Sequence, residues 1–383
     1  MKGIFIFLGC LGFSYLLNKI LLRFSKNFGV QSRQSQNLVR WASTSKPTTG
    51  GISFYITFLV ASVVLILAYQ GGLGISKHFL GLFLSATLAF LIGFADDAYG
   101  THPRVKLLGQ VACGLILLAF GIHINFFVTI SPSLFFLDYF LTIFWVVGMM
   151  NSLNMLDNMD GVTTTVGITL AFAALNMIIS TQGLNLMFFV LIAIIGSLVG
   201  FLFWNWRPAK VYMGDTGSMF IGMVVAFFGI IYFWNIKTTP DNISQIRTGI
   251  IPLMVFLVPI MDTTFVTIAR ISRGVSPFEG GKDHLTHNLV RIGVPEMFVP
   301  VTLGIVSVIS GMLAFYAFKL IPEWQAFYSL TFAIYPVLVF GLFAFLYIKG
   351  TRIAKVREAM AKEANNQATP AQEHAKSEEL EIA

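Results

Sequence analysis

Charge is what this chain has least of. Asp, Glu, Lys and Arg make up only 11% of its residues, while 56% are hydrophobic; soluble domains carry about 25% charged residues. That shortage excludes a water-solvated globular domain and predicts a polytopic membrane protein. Cysteine is also scarce. Cys10 and Cys113 both lie inside apolar runs, where they read as small hydrophobes, so no disulfide framework is expected. No internal repeat at a solenoid period is evident. The net charge of +7 does not indicate a nucleic-acid partner, because Lys and Arg gather in the cytoplasmic loops of membrane proteins. The first apolar run, 3–22, has Lys2 alone ahead of it and no small-x-small cleavage site. It is longer than the apolar core of a signal peptide and reads as a retained span.

What the chain has in abundance is apolar length. Windows of about 20 residues, enough to cross a bilayer, fall near 3–22, 50–69, 78–95, 107–121, 135–153, 162–180, 184–204, 218–236, 250–269, 298–318 and 326–348. They predict an all-α integral membrane bundle of about eleven transmembrane helices, the fourth short. Loops 23–49, 96–106, 205–217 and 270–297 and the tail from 349 hold most of the 25 Lys and Arg residues, Arg33 and Arg40 among them. Lys2, Lys77, Lys237, Arg247 and Lys319 fall on the other side. This asymmetry predicts a multi-pass protein of the inner (plasma) membrane with its N-terminus outside and its C-terminus in the cytoplasm. The expected organisation is a transmembrane domain over 1–348 and a cytoplasmic tail over 349–383. The tail's first half is basic and suited to anionic lipid; from Asn365 it is polar and Glu-rich, and disorder is expected.

Every concentrated polar motif falls on the predicted cytoplasmic side. The densest is Asn151–Gly161, NSLNMLDNMDG, at the end of an apolar run. Asn154, Asp157 and Asp160 are spaced three apart, which places them on one side of a helix. Helix-end turn chemistry, with Asp160 capping the next span, accounts for one or two of these groups but hardly for Asn151 and Asn158 as well. Asp96 and Asp97 end the third span. Two adjacent carboxylates repel, and a shared proton or a cation relieves that repulsion best; Mg2+ suits them because it takes carboxylate oxygens and bridges to phosphates. Lys106 follows ten residues later, as a cation or as a snorkelling interfacial lysine.

Three further motifs lie on the same side. Lys46-Pro47-Thr48-Thr49-Gly50-Gly51 enters the second span. Arg207 and Lys210 precede Gly214-Asp215-Thr216-Gly217-Ser218, where an aspartate between glycines offers an accessible carboxylate to a metal or serves as an N-cap. In the loop 270–297, His284 and His287 share a helix face beside Arg273, Lys282 and Arg291. Anion binding fits this loop better than a zinc pair, which lacks further ligands. Carboxylates for Mg2+ together with basic groups for phosphate oxygens are the equipment of phosphoryl transfer. A site opening at the lipid boundary suits a lipid-phosphate acceptor.

These motifs, KPTTGG, GFADD, NSLNMLDNMDG, VYMGDTGS and KDHLTHNLVRIG, taken in order, resemble the polyprenyl-phosphate N-acetylhexosamine-1-phosphate transferase family (glycosyltransferase family 4). The resemblance extends to about residue 348. It implies a helical bundle with a cytoplasmic-face active-site cleft. It also implies transfer of a sugar 1-phosphate from a UDP-N-acetyl sugar donor to undecaprenyl phosphate, releasing UMP, with Mg2+ (or Mn2+) as cofactor. Carried onto this chain, Asp215 becomes the principal metal ligand. Asp96 and Asp97 sit by metal and lipid phosphate, one of them as a base or a second ligand. Asn154, Asp157, Asn158 and Asp160 line the nucleotide-sugar pocket. Lys46, Thr48, Lys106, Arg207, Lys282, His284 and His287 steady substrate and phosphates. A homodimer is compatible with this reading.

Two departures from the family pattern bear on the donor. Asn158 stands within Asp157-Asn158-Met159-Asp160-Gly161, where many members carry DGxDG, and only two histidines, His284 and His287, occupy a motif that often has three. The second departure favours the GlcNAc-1-phosphate branch, which initiates cell-surface polysaccharide, over the UDP-MurNAc-pentapeptide branch. A secondary transporter, the main reading from another class, places ionisable groups near the midplane and inverted repeats in the chain; neither is evident here.

Overall fold

The computed structural model describes residues 1–27, 46–68, 76–236, 242–276, 281–319, 321 and 324–381. Arg33, Arg40 and Lys237 of the predicted loops lie outside the described residues. The rest form an all-helical bundle. In chain order the helices are α1 (Lys2–Asn27), α2 (Gly50–Ala68), α3 (Lys77–Tyr99), α4 (Pro103–Ala119), α5 (Phe135–Leu156), α6 (Val162–Thr181), α7 (Leu186–Asn205), α8 (Gly214–Gly229), α9 (Asn242–Val255), α10 (Leu257–Ile271), α11 (Leu285–Arg291), α12 (Val299–Lys319) and α13 (Ala326–Glu381). Helix is the only ordinary solution inside a bilayer, because each backbone N–H and C=O must be satisfied within its own segment.

Among the described residues, nine helices are long and apolar enough to span a membrane, ten if the bent pair α9–α10 counts as one span. The sequence predicts eleven; α4, at 17 residues, is the difference. Its start meets the ends of α3 and α5 through Lys106, and Phe120 just beyond its end lies against Gly81 near the start of α3. So α4 traverses the bundle although it is short. The α9–α10 break is an 80° bend. Pro259 sits in the first turn of α10 and has no N–H to donate to the carbonyl of Val255, which stops one continuous helix there. At the tail, α13 continues as helix to Glu381 across the segment whose composition predicts disorder.

The centre of the bundle is α8. Its span, Gly214–Trp234, is 94% buried, against 17% for the spans at either end of the chain. It is enclosed by α2, α3, α5 and α6. Outer helices turn Phe5, Leu8, Phe140, Phe144, Val337 and Leu338 outwards, as lipid-facing surface does. With lipid as solvent, apolar area adds little to helix association, and close backbone packing takes its place. The α3–α8 seam shows this at Gly93. A Cβ there would stand 2.3 Å from the Asp215 carbonyl oxygen and 2.6 Å from Thr216 Cα.

The end opposite the polar motifs is closed by single buried groups. Asp138, at the start of α5, accepts the backbone N–H groups of Phe126, Phe127 and Val128 at 2.9, 2.7 and 2.8 Å. Arg247 donates to the carbonyls of Ile321 at 3.2 Å and Phe318 at 3.4 Å. These ionisable groups are thus accounted for by backbone they tie down.

Gly93→Val forces α3 away from α8, an overpacking cost of about 1–3 kcal/mol or more. A lowered thermal midpoint in detergent is expected, together with loss of activity because the displaced residues carry Asp215. An unchanged midpoint would contradict the seam described.

Candidate active site

Adjacent residues on a helix point about 100° apart, and that separates Asp96 from Asp97. Asp97 turns into the bundle and seats the N-terminus of α8. Its Oδ1 accepts the backbone N–H of Asp215 at 3.1 Å, and its Oδ2 accepts the N–H of Thr216 at 2.9 Å and the hydroxyl of Thr216 at 2.6 Å. A carboxylate at this end satisfies orphan donors and complements the helix dipole. Gly214 makes the approach feasible: its φ is 70°, and a Cβ would fall 2.4 Å from Asp97 Oδ2. Both oxygens expected beside a metal or a proton are therefore engaged with α8. Asp97 thus holds the helix that carries Asp215.

Asp96 turns the other way. Its Oδ1 accepts the backbone N–H of Thr101 at 2.8 Å and that residue's hydroxyl, and its Oδ2 meets the Lys106 ammonium at 3.0 Å. Lys106 also reaches Asn154 Oδ1 at 3.3 Å and forms a close ion pair with Asp215 Oδ2. Oxygens from α3, α5 and α8 thus converge on one cation. Asp96 is 16% and Asp215 31% exposed, so the cluster is recessed yet reachable. Asn154 is fixed from its other end, donating to Ser218 Oγ at 2.9 Å. One turn back, Asn151 and Gln110 exchange amide hydrogen bonds at 2.8 and 3.1 Å.

The convergence fits a hard divalent cation in part by itself. Among the described residues, no three His, Cys, Asp or Glu side chains gather closely enough to hold a metal ion. Two carboxylates and an amide oxygen do converge, and Mg2+ is commonly held by one or two carboxylates with waters and substrate phosphates completing its shell. The Lys106 ammonium stands where such a cation's charge is needed.

The remainder of Asn151–Gly161 does something else. Asp160 is buried, accepts the backbone N–H of Ala209 at 3.0 Å, and pairs with Lys46 at 3.9 Å and Arg207 at 3.6 Å. Arg207 also pairs with Glu296. Asp160 is therefore the tie between three loops, and it does not cap α6 by the expected local bond. Asn158 donates to the Met155 carbonyl at 2.9 Å and accepts from the Thr286 hydroxyl. Asp157 takes the C-cap position of α5. Thr48 is half-buried in a strand-like entry segment whose neighbours bond to residues 212 and 213: Tyr212 donates to Pro47, and Gly50 and Gly51 donate to Tyr212 and Met213.

The histidine segment is anchored by a residue that the sequence reading passed over. Asp262 on α10 accepts the backbone N–H of Leu285 at 2.7 Å and lies 3.1 Å from His284 Nδ1. Its signal was an aspartate within an otherwise apolar span, which asks for a partner by default. Gln110, Thr216 and Ser218 were also missed. Asp283 is gripped by Arg270 at 3.1 and 2.8 Å and by Arg273. Burial works to raise its pKa, but the hydrogen bonds and charge of Arg270 dominate and bring it down to about 2. His287 is 1% exposed, and burial, with the nearby charges of His284 and Arg291, pushes its pKa down to about 3. Lys282 is exposed.

Both depressed pKa values give stability at neutral pH that acid removes. His287 is neutral in the fold and takes a proton once unfolded, so its contribution is full above about 6.5 and falls as pH drops toward 3. Asp283 contributes above its ordinary 3.8 and loses that as pH drops toward 2. The thermal midpoint should thus fall between pH 7.5 and pH 5, and fall less in His287→Gln; parallel losses in the two proteins would contradict this account.

Residues 79–233, which include Asp96, Asn154 and Asp215, match the family model described as Glycosyl transferase family 4. The chain is 26% identical over 303 residues to a Bacillus subtilis protein named probable undecaprenyl-phosphate N-acetylglucosaminyl 1-phosphate transferase, covering 78% of this chain and 80% of the relative. It is 28% identical over 296 residues to the Escherichia coli K12 undecaprenyl-phosphate alpha-N-acetylglucosaminyl 1-phosphate transferase, covering 73% and 75%. It is 31% identical over 272 residues to a Desulforamulus reducens phospho-N-acetylmuramoyl-pentapeptide-transferase, covering 65% of this chain and 77% of that one. The matched region contains the carboxylate cluster itself, and the similarity extends across most of the bundle that builds it. The chain accordingly belongs to glycosyl transferase family 4, the polyprenyl-phosphate N-acetylhexosamine-1-phosphate transferases.

Proposed function

We propose that this protein transfers N-acetylhexosamine 1-phosphate, GlcNAc-1-phosphate by preference, from a UDP-sugar to undecaprenyl phosphate. UMP is released and the lipid-diphospho-sugar initiates a cell-surface polysaccharide. The observation that carries this reading is the meeting of Asp96, Asp215 and Asn154 on the Lys106 ammonium. The bias of basic residues supports placing this face in the cytoplasm, where UDP-sugars are found, with the N-terminus outside.

In the reaction an oxygen of the lipid phosphate attacks the phosphorus that bears the sugar. The bond between that phosphorus and the UMP oxygen breaks, and UMP leaves with the electron pair. A phosphate monoester is already largely dianionic near neutral pH, so the nucleophile needs no strong protein base. That agrees with the geometry of Asp97, whose oxygens are engaged with α8. Asp215 and Asp96 are the residues that would hold Mg2+, with the Asn154 amide oxygen facing the same point. Bound there, Mg2+ supplies neutralisation of charge on the diphosphate and the departing UMP. Lys106, drawn from the carboxylates onto phosphate oxygens, lowers the repulsion between two anionic reactants. Asn154, held by Ser218, orients an amide toward the donor.

The 31% identical relative named for the muramoyl-pentapeptide reaction favours a second reading, that substrate. The pair His284 and His287, without a third adjacent histidine, supports the smaller GlcNAc donor. Membranes containing the protein, given undecaprenyl phosphate and Mg2+, should release UMP from UDP-GlcNAc and form a lipid product; chelation by EDTA should abolish it and added Mg2+ restore it. Turnover of UDP-MurNAc-pentapeptide alone would select the second reading, and no product from UDP-GlcNAc, UDP-GalNAc or UDP-MurNAc-pentapeptide would sink both.

Asp215→Asn tests the cluster directly. It should lower kcat by about 10²–10³-fold or more, as loss of one preorganised electrostatic group does, while the protein remains folded in the membrane. Near-wild-type turnover would remove Asp215 from the proposed metal site.

A further inference from the structure

Asp262 lies in the bent α9–α10 span and is 0% exposed. A buried carboxylate persists only when paired and hydrogen-bonded. Its Oδ1 takes the backbone N–H of Leu285, the first residue of α11, at 2.7 Å. This bond ties the first turn of α11 to α10. The other oxygen is spent separately, 3.1 Å from His284 Nδ1. An imidazole that donates from Nδ1 to a carboxylate has a fixed tautomer and ring plane, and it keeps Nε2 for a second partner. The carboxylate also steadies the charge that the ring acquires with a second proton.

His284 is linked to the proposed chemistry through intervening residues. It immediately precedes α11, and Thr286 on that helix bonds to Asn158. Asn158 lies one turn beyond Asn154, which reaches Lys106. One segment at the end of α5 thus ties the histidine arm to the carboxylate cluster.

We infer that Asp262 is a positioning residue for the transfer reaction, holding His284 in the tautomer and orientation in which its Nε2 serves a phosphoryl oxygen of the donor; this rests on the transferase reading above. Asp262→Asn separates positioning from mere docking. Its amide oxygen can still accept from Leu285, but its NH2 group faces Nδ1, so the ring must adopt the opposite tautomer.

The test is a double-substitution cycle on the full-length protein, with UDP-GlcNAc and undecaprenyl phosphate as substrates and kcat and KM measured separately. Asp262→Asn should lower kcat by about 10²-fold or more, since tautomer reversal is costly where a histidine acts. KM should stay within about threefold, and in a His284→Gln background the same change should cost less than about threefold, because residues acting as a unit are not additive. Wild-type kcat in Asp262→Asn, or the same loss in both backgrounds, would overturn the inference and leave Asp262 a structural anchor. If Asp262→Asn fails to accumulate in the membrane, Asp262→Ser, which keeps a short acceptor for α11, is read in the same cycle. A wild-type protein inert with UDP-GlcNAc, UDP-GalNAc and UDP-MurNAc-pentapeptide overturns the transferase reading and this inference together; an active one with additive losses overturns this inference alone.

Discussion

The seat of α8 on Asp97 is the contact on which the rest of the site depends. Helix N-termini carry unsatisfied N–H groups, and a buried terminus without acceptors is unstable. Here one carboxylate supplies two acceptors to the first turn, through the space left by Gly214 and beside the close α3–α8 contact at Gly93. Asp215 is in that same first turn. Its backbone is therefore fixed by Asp97 while its side chain is left to face Lys106. Two adjacent acids divide the work: one builds the platform and the other joins the charge cluster on it.

The cluster is electrostatically unbalanced by construction. Asp96 and Asp215 face a single ammonium, so Lys106 alone does not neutralise the recess. In a partly dehydrated setting that imbalance favours a second cation. Burial of this kind is expensive as a device for stability, and under the proposed function a bound cation would relieve a cost already incurred during folding. The same carboxylates also keep Lys106 extended into the site.

Much of this was legible in the sequence. Five polar motifs on one predicted face, and the Asp96, Asn154, Lys106 and Asp215 residues that meet there, follow from span counting and charge bias. What was not legible is which partner each group faces. Asp96 and Asp97 are indistinguishable as letters, and only the phase of α3 against α8 separates them. Helical spacing placed Asp160 on one side of a helix with Asn154 and Asp157, but α5 ends at Leu156, and the residue falls beyond the helix among Lys46, Arg207 and Ala209. Asp262 was absorbed into an apolar run by averaging over a window. Its significance depends on a loop some twenty residues later folding back to it.

The stretch Asn151–Gly161 acts as a coupler between parts of the site. Asn154 reaches the carboxylate cluster, Asn158 reaches the histidine arm, and Asp160 holds the loops that follow α7 and precede α2. A bisubstrate reaction between two phosphates needs its charged groups held at fixed separation, since electrostatic stabilisation is effective only when preorganised. Asn154 stands in the last turn of α5, and Asn158 and Asp160 follow in the turn just beyond it, so one short segment carries all three contacts. Asn158 therefore helps set where α11 and His284 lie, and a glycine at that position would surrender the bond to Thr286 that does so.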